Sequence, residues 1–137
     1  MTNIASDYVL YADDDDDDRQ FLRHAFDVLV TDKKLYTFPG GNELLQFLAE
    51  KSEDLGMPCL IILDQNMPKL MGDEIVSMLK LDSRFEEIPI VIFSTSRLPL
   101  KVATHHGIPI VQKPMNLNDW EKMPFLLLKP MLEKRPD

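Results

Sequence analysis

The chain has 137 residues, of which 45% are hydrophobic and 28% charged, and its formal net charge at pH 7 is −8. This length and composition suit one globular domain, which we expect to span residues 1–137. Because Lys and Arg form no cluster and no apolar run reaches membrane-spanning length, the sequence argues against nucleic-acid binding and against a membrane protein. We therefore expect a cytoplasmic protein.

The first apolar run, residues 8–12, predicts a buried strand, and six consecutive aspartates, Asp13 to Asp18, follow it directly. Six like charges usually indicate a solvated tract. Here one of residues 15–17 suits the cap of the next helix, and the dipole of that helix favours the neighbouring acids. This explains Asp13 and Asp14 less well, because they lie at the end of the strand. The spacing does not match that of an EF-hand loop.

Helices and short strands alternate along the rest of the chain. Helical apolar spacing occurs at residues 21–29, 44–48 and 75–79, and strand-like runs occur at 35–38, 59–63, 88–93 and 108–111. Such alternation predicts a parallel sheet covered on both faces, with right-handed crossovers. The only cysteine, Cys59, begins one of these runs, which favours a buried small hydrophobe over a reactive thiol.

Polar residues follow several of these strands. Asp64, Ser94 and Lys113 each come just after an apolar run, as Asp13 and Asp14 do. The carboxyl ends of parallel strands share one edge, which would bring three carboxylates, a hydroxyl and an ammonium together. Clustered carboxylates need a counter-charge, and Mg2+ accepts oxygen ligands of this kind. A lysine and a hydroxyl opposite such a metal suit a phosphoryl group, so the residues predict phosphoryl transfer onto a carboxylate.

The order and spacing of these residues, with Asn66-Met67-Pro68, Gly72 and Pro114 beside them, resemble the receiver domains of two-component response regulators. The resemblance extends from about Tyr8 to the final helical stretch. It implies an α/β flavodoxin-like (βα)5 fold with strand order 2-1-3-4-5, which would place strands one and three side by side. Periodicity alone does not select that order.

The resemblance also implies a role for each matching acid. Asp64 would accept the phosphoryl group and bind Mg2+ together with Asp13 and Asp14. Asp14 is the better candidate for a direct ligand, and Asp13 would act either directly or through a water molecule. The backbone carbonyl of Asn66 would be a further ligand. A haloacid-dehalogenase-like phosphatase, an alternative class with an aspartate nucleophile and Mg2+, needs a second aspartate two residues after the first. Asn66 occupies that place here, which argues against turnover of a phosphoester substrate.

Ser94 and Lys113 complete the implied site. Ser94 would hydrogen-bond a phosphoryl oxygen, and Lys113 would pair with Asp64 and then with its phosphate. A cis peptide bond before Pro114 would aim the lysine inward.

The chain departs from the family pattern after the fourth strand. Thr95 is larger than the residue usual after the hydroxyl, and Ile110 replaces the aromatic residue that serves as a switch in many receivers. The following interval is short and contains Leu98-Pro99-Leu100, which predicts a shortened fourth helix. We expect the adjacent His105 and His106 to lie in an exposed loop.

The carboxyl-terminal segment is less regular. A helix is expected to start near Asn118-Asp119, and Pro124 and Pro130 are expected to kink or break it. The apolar runs 125–128 and 131–132 are predicted to face the core. Any surplus apolar surface there is a candidate partner or homodimer site.

Taken together, the sequence predicts a single-domain response regulator. Its partners would be a sensor histidine kinase or phosphotransfer protein and an unknown downstream protein that reads the phosphorylated surface. Slow hydrolysis of its own acyl phosphate would serve switching, so the chain is not expected to be a metabolic enzyme. The main alternative is a receiver-like interaction module that acts without phosphorylation, which Thr95, Ile110 and the short fourth helix favour and the intact acidic pocket disfavours.

Overall fold

The structure is a computed structural model that describes residues 7–96 and 100–133. Strands and helices alternate along these residues, and a 3-10 helix precedes the last α-helix. The strands are β1 Tyr8–Ala12, β2 Lys34–Phe38, β3 Leu60–Leu63, β4 Ile90–Ser94 and β5 Ile110–Gln112. The helices are α1 Asp16–Leu29, α2 Gly41–Leu55, α3 Gly72–Lys80, α4 Lys101–His106 and α5 Met123–Glu133, with the 3-10 helix at Leu117–Lys122.

The five strands form one parallel sheet in the order β2-β1-β3-β4-β5. This confirms the predicted flavodoxin-like topology. The reversal of strand order lies between β1 and β3, which is where open α/β sheets place their binding crevice. In that pair Ala12 lies opposite Leu63, so the residues that follow each strand emerge side by side.

The core has two layers, one on each face of the sheet, because successive side chains of a strand point to opposite faces. In β1, Leu10 packs in the layer formed with α2 and α3, whereas Val9 and Tyr11 pack in the layer formed with α1 and α5. Strands buried on both sides need apolar residues at every position, which is why they appear as continuous runs. Cys59 is buried, as predicted.

An aromatic group fills the α1 and α5 layer near the end of β4. The indole of Trp120 meets Phe93 edge to face, with ring centroids 5.5 Å apart, and packs beside Phe21 at 5.4 Å. Phe93 also packs beside Tyr11 at 6.1 Å. These contacts tie the 3-10 helix to β4 and α1.

Helix α1 begins where the aspartate run predicts. The side chain of Asp15 accepts a hydrogen bond of 3.1 Å from the backbone N–H of Asp18, which confirms that one of residues 15–17 caps the helix. Its buried face is Leu22, Ala25 and Phe26. Leu29, at the end of the same apolar stripe, is exposed.

Helix α4 has six residues, which confirms the predicted shortening of the fourth helix. Leu98 and Pro99, on which part of that prediction rested, lie outside the described residues. The loop predicted for His105 and His106 is wrong, because both occupy the last turn of α4, although both are exposed. The helix ends at Gly107, whose φ of 66° is the left-handed conformation that favours glycine.

Helix α5 differs from the prediction in two ways. It runs through Pro130 to its end at Glu133, so Pro130 does not break the helix. Leu127 and Leu128 are buried as predicted, but the prediction for their neighbours is wrong, because Phe125, Leu126 and Leu132 are exposed. Within the described ranges, the helices are all too short or too polar to cross a membrane.

Candidate functional site

Two aspartates meet where β1 and β3 end. The backbone N–H of Asp64 donates to the carbonyl of Ala12 at 2.9 Å, which continues the strand pairing by one residue and places Asp64 beside Asp13. Asp13 is fully buried and Asp64 is 5% exposed, whereas Asp14 faces solvent. One carboxylate oxygen from each of the three lies within 4.8 Å of the other two. The predicted acidic residues are therefore brought together.

Lys113 brings a cation to these carboxylates. Its backbone N–H donates to the carbonyl of Ser94 at 2.7 Å. This bond extends the hydrogen bonding between β4 and β5 by one residue and places Lys113 at the site. Its Nζ lies 2.7 Å from Asp13 Oδ2, 2.8 Å from Asp18 Oδ2 and 3.4 Å from Asp64 Oδ1. The ion pair with Asp64, which the sequence led us to expect, therefore has the longest distance of the three.

The cis peptide bond predicted before Pro114 is wrong. All peptide bonds among the described residues are trans. With a trans peptide bond, the side chain of Lys113 still points inward. The backbone hydrogen bond to Ser94 fixes the position of the residue beside β4, and the ammonium lies 5.8 Å from the centre of the Phe93 ring. The buried carboxylates supply the attraction that keeps it there.

Asp13 is held by several donors besides the lysine. The buried hydroxyl of Tyr11 donates to Oδ2, and the backbone N–H of Asp15 donates to Oδ1 at 2.9 Å. The guanidinium of Arg19 donates to the Asp13 backbone carbonyl at 2.6 Å. A fully buried carboxylate is tolerated only when hydrogen bonds and a counter-charge compensate its lost hydration, and Asp13 has both.

The electrostatics of the site follow from this burial. Burial, together with the charge of Asp13, raises the pKa of Asp64 to about 7, although Lys113 acts against the shift. Burial also raises the pKa of Asp18, again against the effect of Lys113. For Lys113 itself burial lowers the pKa, but the hydrogen bonds to Asp13 and Asp18 outweigh it and raise the pKa overall. The lysine therefore stays charged at neutral pH.

The remaining predicted residues frame the same edge. Ser94, at the end of β4, is buried, and its Oγ accepts a hydrogen bond of 3.3 Å from the backbone N–H of Ser96. Thr95 is exposed, so its side chain turns toward solvent. Asn66 is also exposed. Ile110 is half-buried at the start of β5.

Four residues of this region were missed by the sequence reasoning: Tyr11, Asp18, Arg19 and Gln65. Asp18 was assigned only to the helix terminus, and its contact with Lys113 joins residues 95 positions apart. Gln65 exchanges two hydrogen bonds of 2.9 Å with Asp73, which fix the chain after Asp64 to the first turn of α3. The available signal for Gln65 was its position directly after Asp64.

Gly72 lies against the backbone beside the acceptor. Its N–H donates to the carbonyl of Gln65 at 2.9 Å, and a Cβ at this position would lie 2.6 Å from the carbonyl oxygen of Asp64. It would also lie 3.0 Å from the Gln65 Cα. Neither backbone atom can rotate away, so the start of α3 can lie this close to Asp64 only with glycine at position 72.

We expect Gly72→Ala to lower the free energy of unfolding by about 1 to 3 kcal/mol, the usual cost of overpacking. Gly40→Ala is the matched control, because a Cβ there meets only the movable side chain of Glu43, whose Oε1 lies at 2.9 Å. Urea denaturation of both variants and the wild type measures the difference. Equal midpoints for the two variants would contradict the close approach at Gly72.

The donors of the site fit a hard divalent cation. They are carboxylate oxygens, with no thiolate or imidazole in the group, which suits Mg2+ or Mn2+ rather than zinc. Three carboxylates near one ammonium also leave net negative charge for a cation to neutralise. The exposed Asp14 opens the group to solvent, which is the side from which a hydrated ion would enter.

Comparison with known proteins identifies the family of the chain. Residues 9–123 match the family model described as the response regulator receiver domain. The two-component response regulator ARR6 of Arabidopsis thaliana is 30% identical over 132 residues, which cover 89% of this chain and 69% of the relative.

Solved structures show the same fold. The structure of the Mn2+-bound form of response regulator Rcp1 is 25% identical, has a TM-score of 0.76 and covers 90% of this chain and 96% of its own. The chemotaxis protein CheY4 of Vibrio cholerae is 27% identical with a TM-score of 0.69, covering 90% of this chain and 100% of its own. Given the family model that matches residues 9–123 and the shared fold, the chain belongs to the response regulator receiver domain family.

Proposed function

We propose that Asp64 accepts a phosphoryl group from a phosphohistidine of a sensor histidine kinase or phosphotransfer protein, and that the chain signals through the resulting change in its protein-binding surface. The observation that carries this proposal is the position of the Asp64 carboxylate. It is nearly buried at the switch point of the sheet, within 4.8 Å of two further carboxylates, and 3.4 Å from a buried ammonium. The membership of the receiver family supports it.

The chemistry follows from the groups around Asp64. One carboxylate oxygen attacks phosphorus, a P–O bond forms, and the P–N bond to the donor imidazole breaks, with its electron pair leaving on the imidazole nitrogen. Lys113 lies close enough to neutralise charge that develops on the phosphoryl oxygens. Asp13, Asp14, Asp64 and the backbone carbonyl of Asn66 would hold Mg2+, which would supply further neutralisation of the phosphoryl charge. The Mn2+-bound form described for Rcp1 supports a divalent ion here.

Ser94 links the acceptor to the surface that changes. Its buried hydroxyl, now held by the N–H of Ser96, would turn to donate to a phosphoryl oxygen. The adjacent carbonyl of Thr95 accepts from Gln112 of β5 at 3.3 Å, so movement at Ser94 disturbs the exposed end of β4 and β5. A protein that binds this end would sense the difference. Slow loss of the phosphoryl group to water then resets the chain, which makes it a switch and not a metabolic enzyme.

The direct test is intact-mass measurement after incubation with Mg2+ and acetyl phosphate. We expect one phosphoryl increment on the wild type, and none on Asp64→Asn or after chelation of the metal. Asp54→Asn is the matched control, because Asp54 is an exposed aspartate in α2, and it should gain the increment normally.

The same experiment decides between the proposal and its alternative. A folded wild type that binds Mg2+ and gains no increment would contradict the phosphoacceptor role. That result would favour an interaction module that acts without phosphorylation, and attention would move to the half-buried Ile110 and the short α4.

A further inference from the structure

The ammonium of Lys113 has an unexpected partner. Its Nζ lies 2.8 Å from Asp18 Oδ2, closer than the 3.4 Å to Asp64 Oδ1 and nearly as close as the 2.7 Å to Asp13. Asp18 comes from the first turn of α1, and its side chain is only 19% exposed. It therefore approaches the lysine from the helix, whereas Asp13 and Asp64 approach from the strand ends.

The contacts of Lys113 compete with metal binding. Asp13 and Asp64 are two of the three carboxylates proposed to give oxygens to a divalent cation, and the ammonium already lies against one oxygen of each. The Asp13 oxygens also accept from the Tyr11 hydroxyl and the Asp15 N–H, which leaves them few free lone pairs. Two cations on the same oxygens repel each other strongly in a buried site. The ammonium therefore needs another carboxylate when the ion binds.

We propose that Asp18 is a positioning residue that holds the Lys113 ammonium beside the site while Asp13 and Asp64 give their oxygens to a divalent cation. The lysine stem is flexible and its ammonium has three donors, so it can keep the Asp18 hydrogen bond while it withdraws from the other two carboxylates. Anchored there, it stays within reach of the acceptor for the phosphoryl group. This inference rests on the metal site of the proposed function.

A simpler role for Asp18 is to favour the helix dipole, as acids in a first turn generally do. That role does not explain its contact. Of the other first-turn acids, Asp16 pairs with Arg19 at 3.0 Å and Asp17 is exposed, whereas Asp18 alone of the three pairs with Lys113 in the described structure. Asp17 is accordingly a matched control, since its substitution removes the same charge from the same turn.

The test is calorimetric titration with Mg2+ of the wild type, Asp18→Asn, Asp18→Glu and Asp17→Asn. Asp18→Asn should weaken Mg2+ binding roughly tenfold, as loss of a supporting partner in a metal site typically does. Asp17→Asn should change the affinity by about twofold at most, because its charge is screened by solvent. Asp18→Glu keeps the carboxylate and should recover most of the affinity. Equal affinities for Asp18→Asn and Asp17→Asn would overturn the inference.

A second background separates anchoring from simple attraction between Asp18 and the ion. If Asp18 acts through the lysine, its substitution should have little effect on Mg2+ affinity in Lys113→Met. The same fold-loss in both backgrounds would mean that Asp18 attracts the cation directly, which would overturn the anchoring role.

A measurement on folded single variants covers the case in which Lys113→Met does not fold. Lysine side chains labelled with 15N report whether the Lys113 ammonium is held. With saturating Mg2+, the Lys113 signal should remain protected from exchange in the wild type and Asp17→Asn, and be lost in Asp18→Asn. Retention of the signal in Asp18→Asn would count against the anchor.

These titrations need no phosphoryl donor, so the two proposals can fail separately. A wild type that gains no phosphoryl increment, with the expected difference between Asp18→Asn and Asp17→Asn, would contradict the phosphoacceptor role and leave the anchor standing. A normal phosphoryl increment with equal Mg2+ affinities for Asp18→Asn and Asp17→Asn would contradict the anchor and leave the phosphoacceptor role standing. A wild type that does not bind Mg2+ would overturn the anchor together with the metal site.

Discussion

Lys113→Met should lower the free energy of unfolding of the metal-free protein by about 3 to 5 kcal/mol at pH 8, because it leaves buried carboxylates without their cation. The ammonium contacts Asp13, Asp18 and Asp64, and Asp13 is fully buried. No other lysine or arginine side chain forms an ion pair with Asp13 or Asp64 within the described structure. Urea denaturation followed by circular dichroism measures the loss.

Two conditions should reduce the effect of Lys113→Met. At pH 6 the neighbouring carboxylates can take up a proton, so the loss should be smaller than at pH 8. Added Mg2+ should restore part of the stability, because an ion that binds only the folded state stabilises it by mass action. Lys122→Met is the control, since Lys122 pairs with Asp119 at 3.6 Å on the surface and should matter by about 1 kcal/mol or less. Equal losses for both variants would contradict the importance of the buried ammonium.

Asp64→Asn should make the metal-free protein more stable at pH 8, by about 1 to 3 kcal/mol. Burial raises the pKa of Asp64 to about 7, well above the ordinary value for an aspartate. The folded protein therefore binds a proton here more tightly than the unfolded chain does. The contribution of this group to stability is present at low pH and is lost as the pH rises toward about 7. Asparagine does not ionise, so the variant does not lose this stability as the pH rises.

The comparison with the wild type should depend on pH in a defined direction. The stability gain of Asp64→Asn should be largest at pH 8, where the wild-type carboxylate is ionised, and small at pH 5. Glu87→Gln removes one negative charge from an exposed position and controls for the net charge of the chain. The raised pKa of Asp64 would be contradicted if Asp64→Asn gained the same stability at pH 5 and pH 8. It would also be contradicted if Glu87→Gln gained as much stability as Asp64→Asn at pH 8. Saturating Mg2+ should reverse the order of stability, because the wild type binds it better.

The three central strands were predictable because they are buried on both faces. β1 and β3 need an apolar residue at every position, and such runs are visible in the sequence without knowledge of their neighbours. Helix α5 was harder for the opposite reason. Residues 125–128 are all apolar, so their pattern does not show which of them face inward. Packing against the sheet decides it, and it buries Leu127 and Leu128 while Phe125 and Leu126 face out.

The candidate site divides in the same way. Asp13, Asp64 and Lys113 follow strands directly, and the register of a parallel sheet brings strand ends together. Asp18 lies in a helix, and its direction depends on how α1 packs on the sheet. A contact between residues 95 positions apart leaves no local pattern in the sequence. The acidic run therefore predicted an acid at the start of the helix, but not the pairing of Asp18 with Lys113.

Trp120 gives the site a built-in optical probe. It is the one tryptophan of the chain, is 7% exposed, and meets the Phe93 ring edge to face. The same Phe93 ring lies 5.8 Å from the Lys113 ammonium, so a single aromatic side chain separates the indole from the charge that binding and phosphorylation redistribute. Indole emission responds to nearby charge and ring geometry. Occupancy of the acidic site should therefore be readable from native fluorescence, in the unlabelled protein and in real time.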